Sequence, residues 1–281
     1  MQVQFYTQWE VVSYVQTIWF AFLLLVHISL IVMFISKPGK KKSMLMFGAY
    51  FGVFCTLKMI GGITSIVTLH ASTFNRSAYT AAYICDSVAI GLLIKSTFPF
   101  LETMKKQDGD EKLEWKLEDK LEGFEGLGRV GRFNLHPFRL LTILVLVSMI
   151  LAIVGTVQIT SASSSDSKSD SDSPELKIGS FLFLASTLVL LGLLLWTYCT
   201  VSHFQVILRI FFAVVPLLIV RCCYSIISAL KGINFDDPSK YAIIFGDYKY
   251  YTFLAFLSEG LIGPVLLIVF NWFLRNNRAE F

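Results

Sequence analysis

Four ionisable side chains sit in stretches that hold almost nothing else polar. Lys58 follows "VFCTL", Asp86 lies in "YICDSVAIGLL", Arg221 in "VVPLLIVRCCYSII" and Glu259 in "LAFLSEGLIG". A charge at the centre of a membrane span costs about 2.5–3.5 kcal/mol on insertion scales, so each of these needs a partner or a task. Two are cations and two are acids, so the chemistry on offer is ion pairing, or recognition of a ligand beside the pairs. Spacing predicts Lys58–Asp86 across one consecutive pair of spans and Arg221–Glu259 across another. The planar guanidinium of Arg221 is suited to a bidentate contact with Glu259. Tyr224, one turn beyond Arg221, offers a hydroxyl to the same network. Buried ion pairs are weak evidence for stability, because desolvation offsets their attraction. Register-fixing pairs and an intramembrane ligand site therefore both remain open.

Catalytic chemistry finds little support. The histidines, His27, His70, His136 and His203, fall at four depths and form no H-x-x-x-H or H-E-x-x-H pair. No serine–histidine arrangement or phosphate loop stands out, so a non-enzymatic protein without metal or cofactor is expected. The last span has no lysine for a retinal Schiff base and no N-P-x-x-Y. Rhodopsin-like membership is unsupported.

The elements that must carry these residues follow from hydropathy. The chain has 281 residues, is 55% hydrophobic and only 16% charged, and its mean hydropathy is +0.64. About 20 apolar residues span a bilayer. Seven segments qualify, near 11–36, 44–70, 77–103, 137–160, 178–202, 206–230 and 251–274. The expected fold is a single all-α, seven-transmembrane-helix bundle over 1–281. At ~1.5 Å per residue, the four charges fall within about 5 Å of the span centres, on one side. Connections on one face carry 15 Lys and Arg, those on the other 6. The first face is therefore cytosolic, with the N-terminus outside and the C-terminus inside. The leader "MQVQFYTQWE" has no basic residue and "KPGKKKS" follows the first span, which reads as an uncleaved anchor. A net charge of +4 suits an anionic leaflet and leaves no module for nucleic acid.

Leu113, Leu117, Leu121 and Phe124 recur at helical spacing in the cytosolic loop 105–135, predicting a short amphipathic helix that caps the bundle or docks a cytosolic partner. The Ser- and Asp-rich outer loop 161–177 is expected to be disordered. Asn75-Arg76-Ser77 forms a glycosylation sequon in a short outer connection. The five cysteines, Cys55, Cys85, Cys199, Cys222 and Cys223, read as small packing residues. Lys95 is expected to snorkel to the cytosolic rim and His27 to be a satisfied core residue. Gly61, Gly62, Gly91, Gly192, Gly260 and Gly263 permit close helix approach, and Pro99, Pro216 and Pro264 predict bends.

"LKMIGG", "DSVAIGLL", "PLLIVRCCYSIISAL" and "FLSEG" together resemble the fungal seven-span family catalogued as domain of unknown function 7702. The likeness runs over nearly the full length. Its basic residue and glycine in span two match Lys58 and Gly61, where the family usually has arginine. The Arg-x-x-Tyr-Ser element matches Arg221, Tyr224 and Ser225, and the glutamate of span seven matches Glu259. The resemblance implies seven spans and a fungal source, and no established activity. More remotely, the topology is similar to that of the fungal lipid-translocating exporter family, an analogy of architecture only. The expected function is a receptor-like, ligand-sensing membrane protein of the plasma membrane or an endomembrane, with a transporter or lipid-translocating protein as the alternative. Membrane lipids, a small-molecule or lipid ligand, and a cytosolic protein at the 105–135 loop are the expected partners.

Overall fold

A computed structural model of the chain describes residues 6–36, 42–71, 75–107, 137–162, 173–200, 204–231, 239–243 and 246–276. They form seven long helices: α1 (Tyr6–Ile35), α2 (Lys42–His70), α3 (Arg76–Gln107), α4 (Pro137–Ala162), α5 (Pro174–Thr200), α6 (Gln205–Lys231) and α7, covering 248–276. All seven are long and apolar enough to cross a membrane. No strand occurs among the described residues. The protein is a polytopic helical bundle. With seven such helices among the described residues, α1 starts and α7 ends at opposite faces of the bundle, designated below the N-terminal and C-terminal faces.

The amphipathic helix expected in 105–135 lies outside the described residues beyond Gln107, as does the middle of the 161–177 loop. Helices occupy the edges of that loop. Pro174 opens α5, and Ser173 Oγ accepts from Leu176 N at 3.3 Å as its cap, which starts the helix four residues before the expected 178. Asn75 caps α3 in the same way, its Oδ1 accepting from Ala78 N at 3.1 Å.

Sequence neighbours pack side by side, α1 closes against α7, and α3 reaches α2, α4, α5 and α6. The helix at the centre is thus α3. It buries 83% of its spanning window, against 28–56% for the others, and has the lowest hydropathy of the seven, 1.5. Lipid rewards apolar surface, so the most polar helix is enclosed by the rest. Small residues set the tightest approaches. At Gly62 a Cβ would run into Thr17 Oγ1 of α1 and sit 3.1 Å from Ser13 O. Gly192, expected to serve likewise, has open space around it.

The C-terminal half of the core is a layer of phenylalanines. Ring centroids lie 4.6 Å apart for Phe47–Phe100, 4.9 Å for Phe47–Phe270, 5.7 Å for Phe100–Phe211 and 5.7 Å for Phe100–Phe273. His27 is buried among them and its Nε2 donates to Gly48 O at 2.9 Å. Lys95 does not snorkel. It is 8% exposed, with its ammonium 6.0 Å from the Tyr50 ring, so a cation–π contact between α2 and α3 holds it inside. All five cysteines are free; Cys55 and Cys222 are buried, whereas Cys199 and Cys223 face outward.

Helical structure continues on both sides of Pro99, Pro216 and Pro264. The departure from α geometry in α7 lies elsewhere, in a π-helical turn over Tyr251–Phe256. That turn matters for the site, because eight residues of ordinary helix leave two side chains about 80° apart. A wider turn closes this angle and brings Tyr251 onto the face of Glu259.

Candidate functional site

Lys58 on α2, Asp86 on α3, Arg221 on α6 and Glu259 on α7 meet at one level of the bundle. They are 1%, 6%, 0% and 0% exposed. Lys58 Nζ donates to Asp86 Oδ1 at 2.6 Å and pairs with Glu259 Oε2. Arg221 Nε donates to Glu259 Oε1 at 2.6 Å, and its Nη2 donates to Asp86 Oδ2 at 2.5 Å. The four groups therefore form a closed ring of alternating sign.

This corrects the expectation of two separate pairs with a bidentate Arg221–Glu259 contact. The guanidinium divides its fork between two acids, and its Nη1 donates to Ser225 Oγ at 2.6 Å. The physical gain is coverage. Every carboxylate oxygen faces a cation, and each acid is held from two helices, which offsets the cost of desolvation. The ring sums to zero charge, which suits a site buried inside the bundle.

Tyr224 adjoins the ring by its aromatic face instead of its hydroxyl. Its ring centroid lies 5.7 Å from Arg221 Cζ, and its hydroxyl donates to Tyr241 O at 3.2 Å. The hydroxyl role expected of it belongs to Tyr251, whose oxygen lies 2.7 Å from Gln16 Oε1 and 3.2 Å from Asp86 Oδ1. Gln16 Nε2 in turn donates to Lys58 O at 3.0 Å, so α1 joins the network.

Gln16 and Tyr251 were not singled out by sequence reasoning, and Ser225 entered it only through the Arg-x-x-Tyr-Ser element, without a place in the charge layer. Gln16 carried a signal as an amide inside an apolar span, and Ser225 as the residue four beyond Arg221. Tyr251 carried none, since its placement depends on the π turn.

Two narrow cavities flank Asp86, each about 10 Å3 to a water-sized sphere. One is bordered by Arg221, Tyr224, Ser225, Ser87 and Tyr83, the other by Lys58, Gly61, Gln16, Ser65 and Tyr251. Asp86 and Ile243 line both. Ile243 belongs to the described stretch 239–243 between α6 and α7 on the N-terminal face, so this stretch roofs the ring. Backbone bonds hold its turn: Gly246 N to Ala242 O at 2.9 Å and Asp247 N to Lys240 O at 2.9 Å. Trp9 of α1 fastens it, donating from Nε1 to Gly246 O at 2.7 Å, while Tyr224 holds Tyr241. A Cβ at Gly246 would sit 2.5 Å from Ala242 O, so the turn requires glycine there. Among the described residues, no His, Cys, Asp and Glu side chains gather in a way that would hold a metal.

No curated protein and no solved structure matches the chain. A family model described as a domain of unknown function, DUF7702, matches residues 127–275. The matched stretch contains α4 to α7 with Arg221, Tyr224, Ser225 and Glu259. It stops short of the near-full-length likeness expected and leaves out Lys58 and Asp86. It nonetheless spans more than half of the residues and carries one cation and one acid of the ring. The chain belongs to the family described as domain of unknown function DUF7702.

Proposed function

We propose that this protein is a receptor-like membrane sensor, in which a small or lipid ligand acts on the charge ring from the N-terminal face. One observation carries the reading. Both cavities beside the ring lie in the N-terminal half under Ile243, while the opposite half is filled by the Phe47–Phe100–Phe270 layer. One-sided access suits sensing. Transport requires a path to both sides or a lateral opening to lipid.

In this reading the N-terminal face looks away from the cytosol, as the 15-to-6 distribution of basic residues supports. The signal passes along α6, where Pro216 precedes Arg221 by five residues, toward the cytosolic loop 105–135 and a protein partner docked there. The protein is not an enzyme and uses no cofactor. A fungal source and a plasma-membrane or endomembrane location complete the proposal. The alternative, a transporter or lipid-translocating protein like the exporters of similar topology, uses the same ring as a substrate path. It requires a second conformation in which the phenylalanine layer parts.

The test takes the purified full chain through a lipid and metabolite panel, since any ligand of the folded state raises its melting temperature. A probe at Val206, 71% exposed at the start of α6, reports movement below Pro216. The sensing reading expects a stabilising compound that shifts the probe without accumulating in sealed proteoliposomes. Protein-dependent uptake of that compound would favour the transporter, and stabilisation without any probe shift would contradict signalling through α6.

A further inference from the structure

Among the described residues, the two cations of the ring have more donors than hydrogen-bond acceptors. A guanidinium carries five N–H groups. Protein atoms take three from Arg221: Glu259 Oε1, Asp86 Oδ2 and Ser225 Oγ. An ammonium carries three; Lys58 donates one to Asp86 Oδ1 and faces Glu259 Oε2 as an ion pair. Beyond these, among the described residues, it faces the rings of Phe20 and Tyr251, whose centroids lie 5.9 and 6.0 Å away. Both cations are almost wholly enclosed, at 0% and 1% exposure. A buried donor without an acceptor is costly, and charged donors most of all.

Each of these cations borders its own cavity, Arg221 one and Lys58 the other. Each cavity has about 10 Å3 for a water-sized sphere, close to the lower limit for a single water. The ring is already neutral, so an anion in either cavity would unbalance it, whereas a neutral oxygen would not. Polar partners for that oxygen are present on both sides: Ser87, Ser225 and Tyr83 in the first cavity, Gln16, Ser65 and Tyr251 in the second.

We propose that the two cavities are built binding sites for one neutral oxygen acceptor each, and that water occupies them in the resting protein. The ring is then a six-membered assembly of four charged groups and two waters, with Asp86 between the waters. This goes beyond the sensing reading and stands whether or not that reading does. The waters complete the hydrogen bonding of Arg221 and Lys58 and keep the ring wet on the N-terminal side alone.

Gly61 supplies a selective probe. A Cβ there would lie 3.5 Å from Cys85 Cβ and 3.9 Å from Gln16 Nε2, in ordinary contact, so Gly61→Ala folds without a clash while adding a methyl to the wall of the Lys58 cavity. The experiment is structure determination of the full chain and of Gly61→Ala at a resolution that shows ordered water, with a parallel bromide-soaked sample. The expected result is one peak per cavity, at about 2.7–3.2 Å from an Arg221 Nη and from Lys58 Nζ. In Gly61→Ala the Lys58-side peak disappears and the Arg221-side peak stays. Cavities without density, in maps that show water elsewhere on the protein, would overturn the proposal. So would peaks that take up bromide, which would make the sites anionic.

Discussion

Arg221 reaches Asp86 as well as Glu259: its Nη2 lies 2.5 Å from Asp86 Oδ2, tying α6 to the central helix α3. The two residues are 135 positions apart, and neither belongs to the other's consecutive span pair. This one contact turns two ion pairs into a ring. It also decides which substitutions tolerate one another.

The tyrosines should rank opposite to their sequence prominence. Tyr251→Phe removes a hydroxyl that serves Gln16 and lies beside Asp86, leaving the buried Gln16 Oε1 without its donor. A loss of about 1–3 kcal/mol is expected. Tyr224→Phe removes a partly buried bond to Tyr241 O and keeps the ring over Arg221, so about 0.5–1.5 kcal/mol is expected. Denaturation of the two variants in the same detergent checks the order.

How far the sequence reveals this site depends on what hydropathy encodes. Lys58, Asp86, Arg221 and Glu259 stand out because a charge in an apolar run is conspicuous in any register. Their common depth follows from counting residues along each span. Which helix sits in the middle does not follow, because depth carries no azimuth, and the Asp86–Arg221 bond depends on the central position of α3. Tyr251 was hidden for a related reason, since a π turn changes the face a residue occupies without any clear mark in the sequence. The misreading of Lys95 came from treating a long chain near a span end as free to extend, when Tyr50 gives it a closer partner.

Glycines predict opposite outcomes at two positions. Gly62→Val should separate α1 from α2, since even a Cβ meets Thr17 there, and should cost several kcal/mol as overpacked cores do. Gly192→Ala should be neutral or stabilising by up to about 1 kcal/mol, from helix propensity in open space. Thermal melts of both variants, with expression level as a second readout, distinguish them.

The roof over the ring should loosen when its fastening is cut. Trp9→Phe removes the Nε1 bond to Gly246 O and leaves the aromatic contact with Tyr251, whose centroid lies 5.2 Å away. Losing about 1 kcal/mol of local stability raises hydrogen exchange in 239–243 and 246–247 by roughly five-fold. Exchange in α3 should stay unchanged. Acceleration across the whole bundle would mean that Trp9 supports the fold and not the roof.

The ring itself is tested most directly by removing Lys58 and Glu259 together. Each single change, Lys58→Met or Glu259→Leu, strands a buried charge and should cost about 3–5 kcal/mol. In a ring the double variant keeps Arg221 bonded to Asp86, so it should recover at least 1–2 kcal/mol of the summed cost in a double-mutant cycle. In two independent pairs the same double variant strands Asp86 and Arg221 alike, and the single costs simply add. Measured coupling between Lys58 and Glu259 is the result this account predicts; additivity within about 0.5 kcal/mol would contradict it.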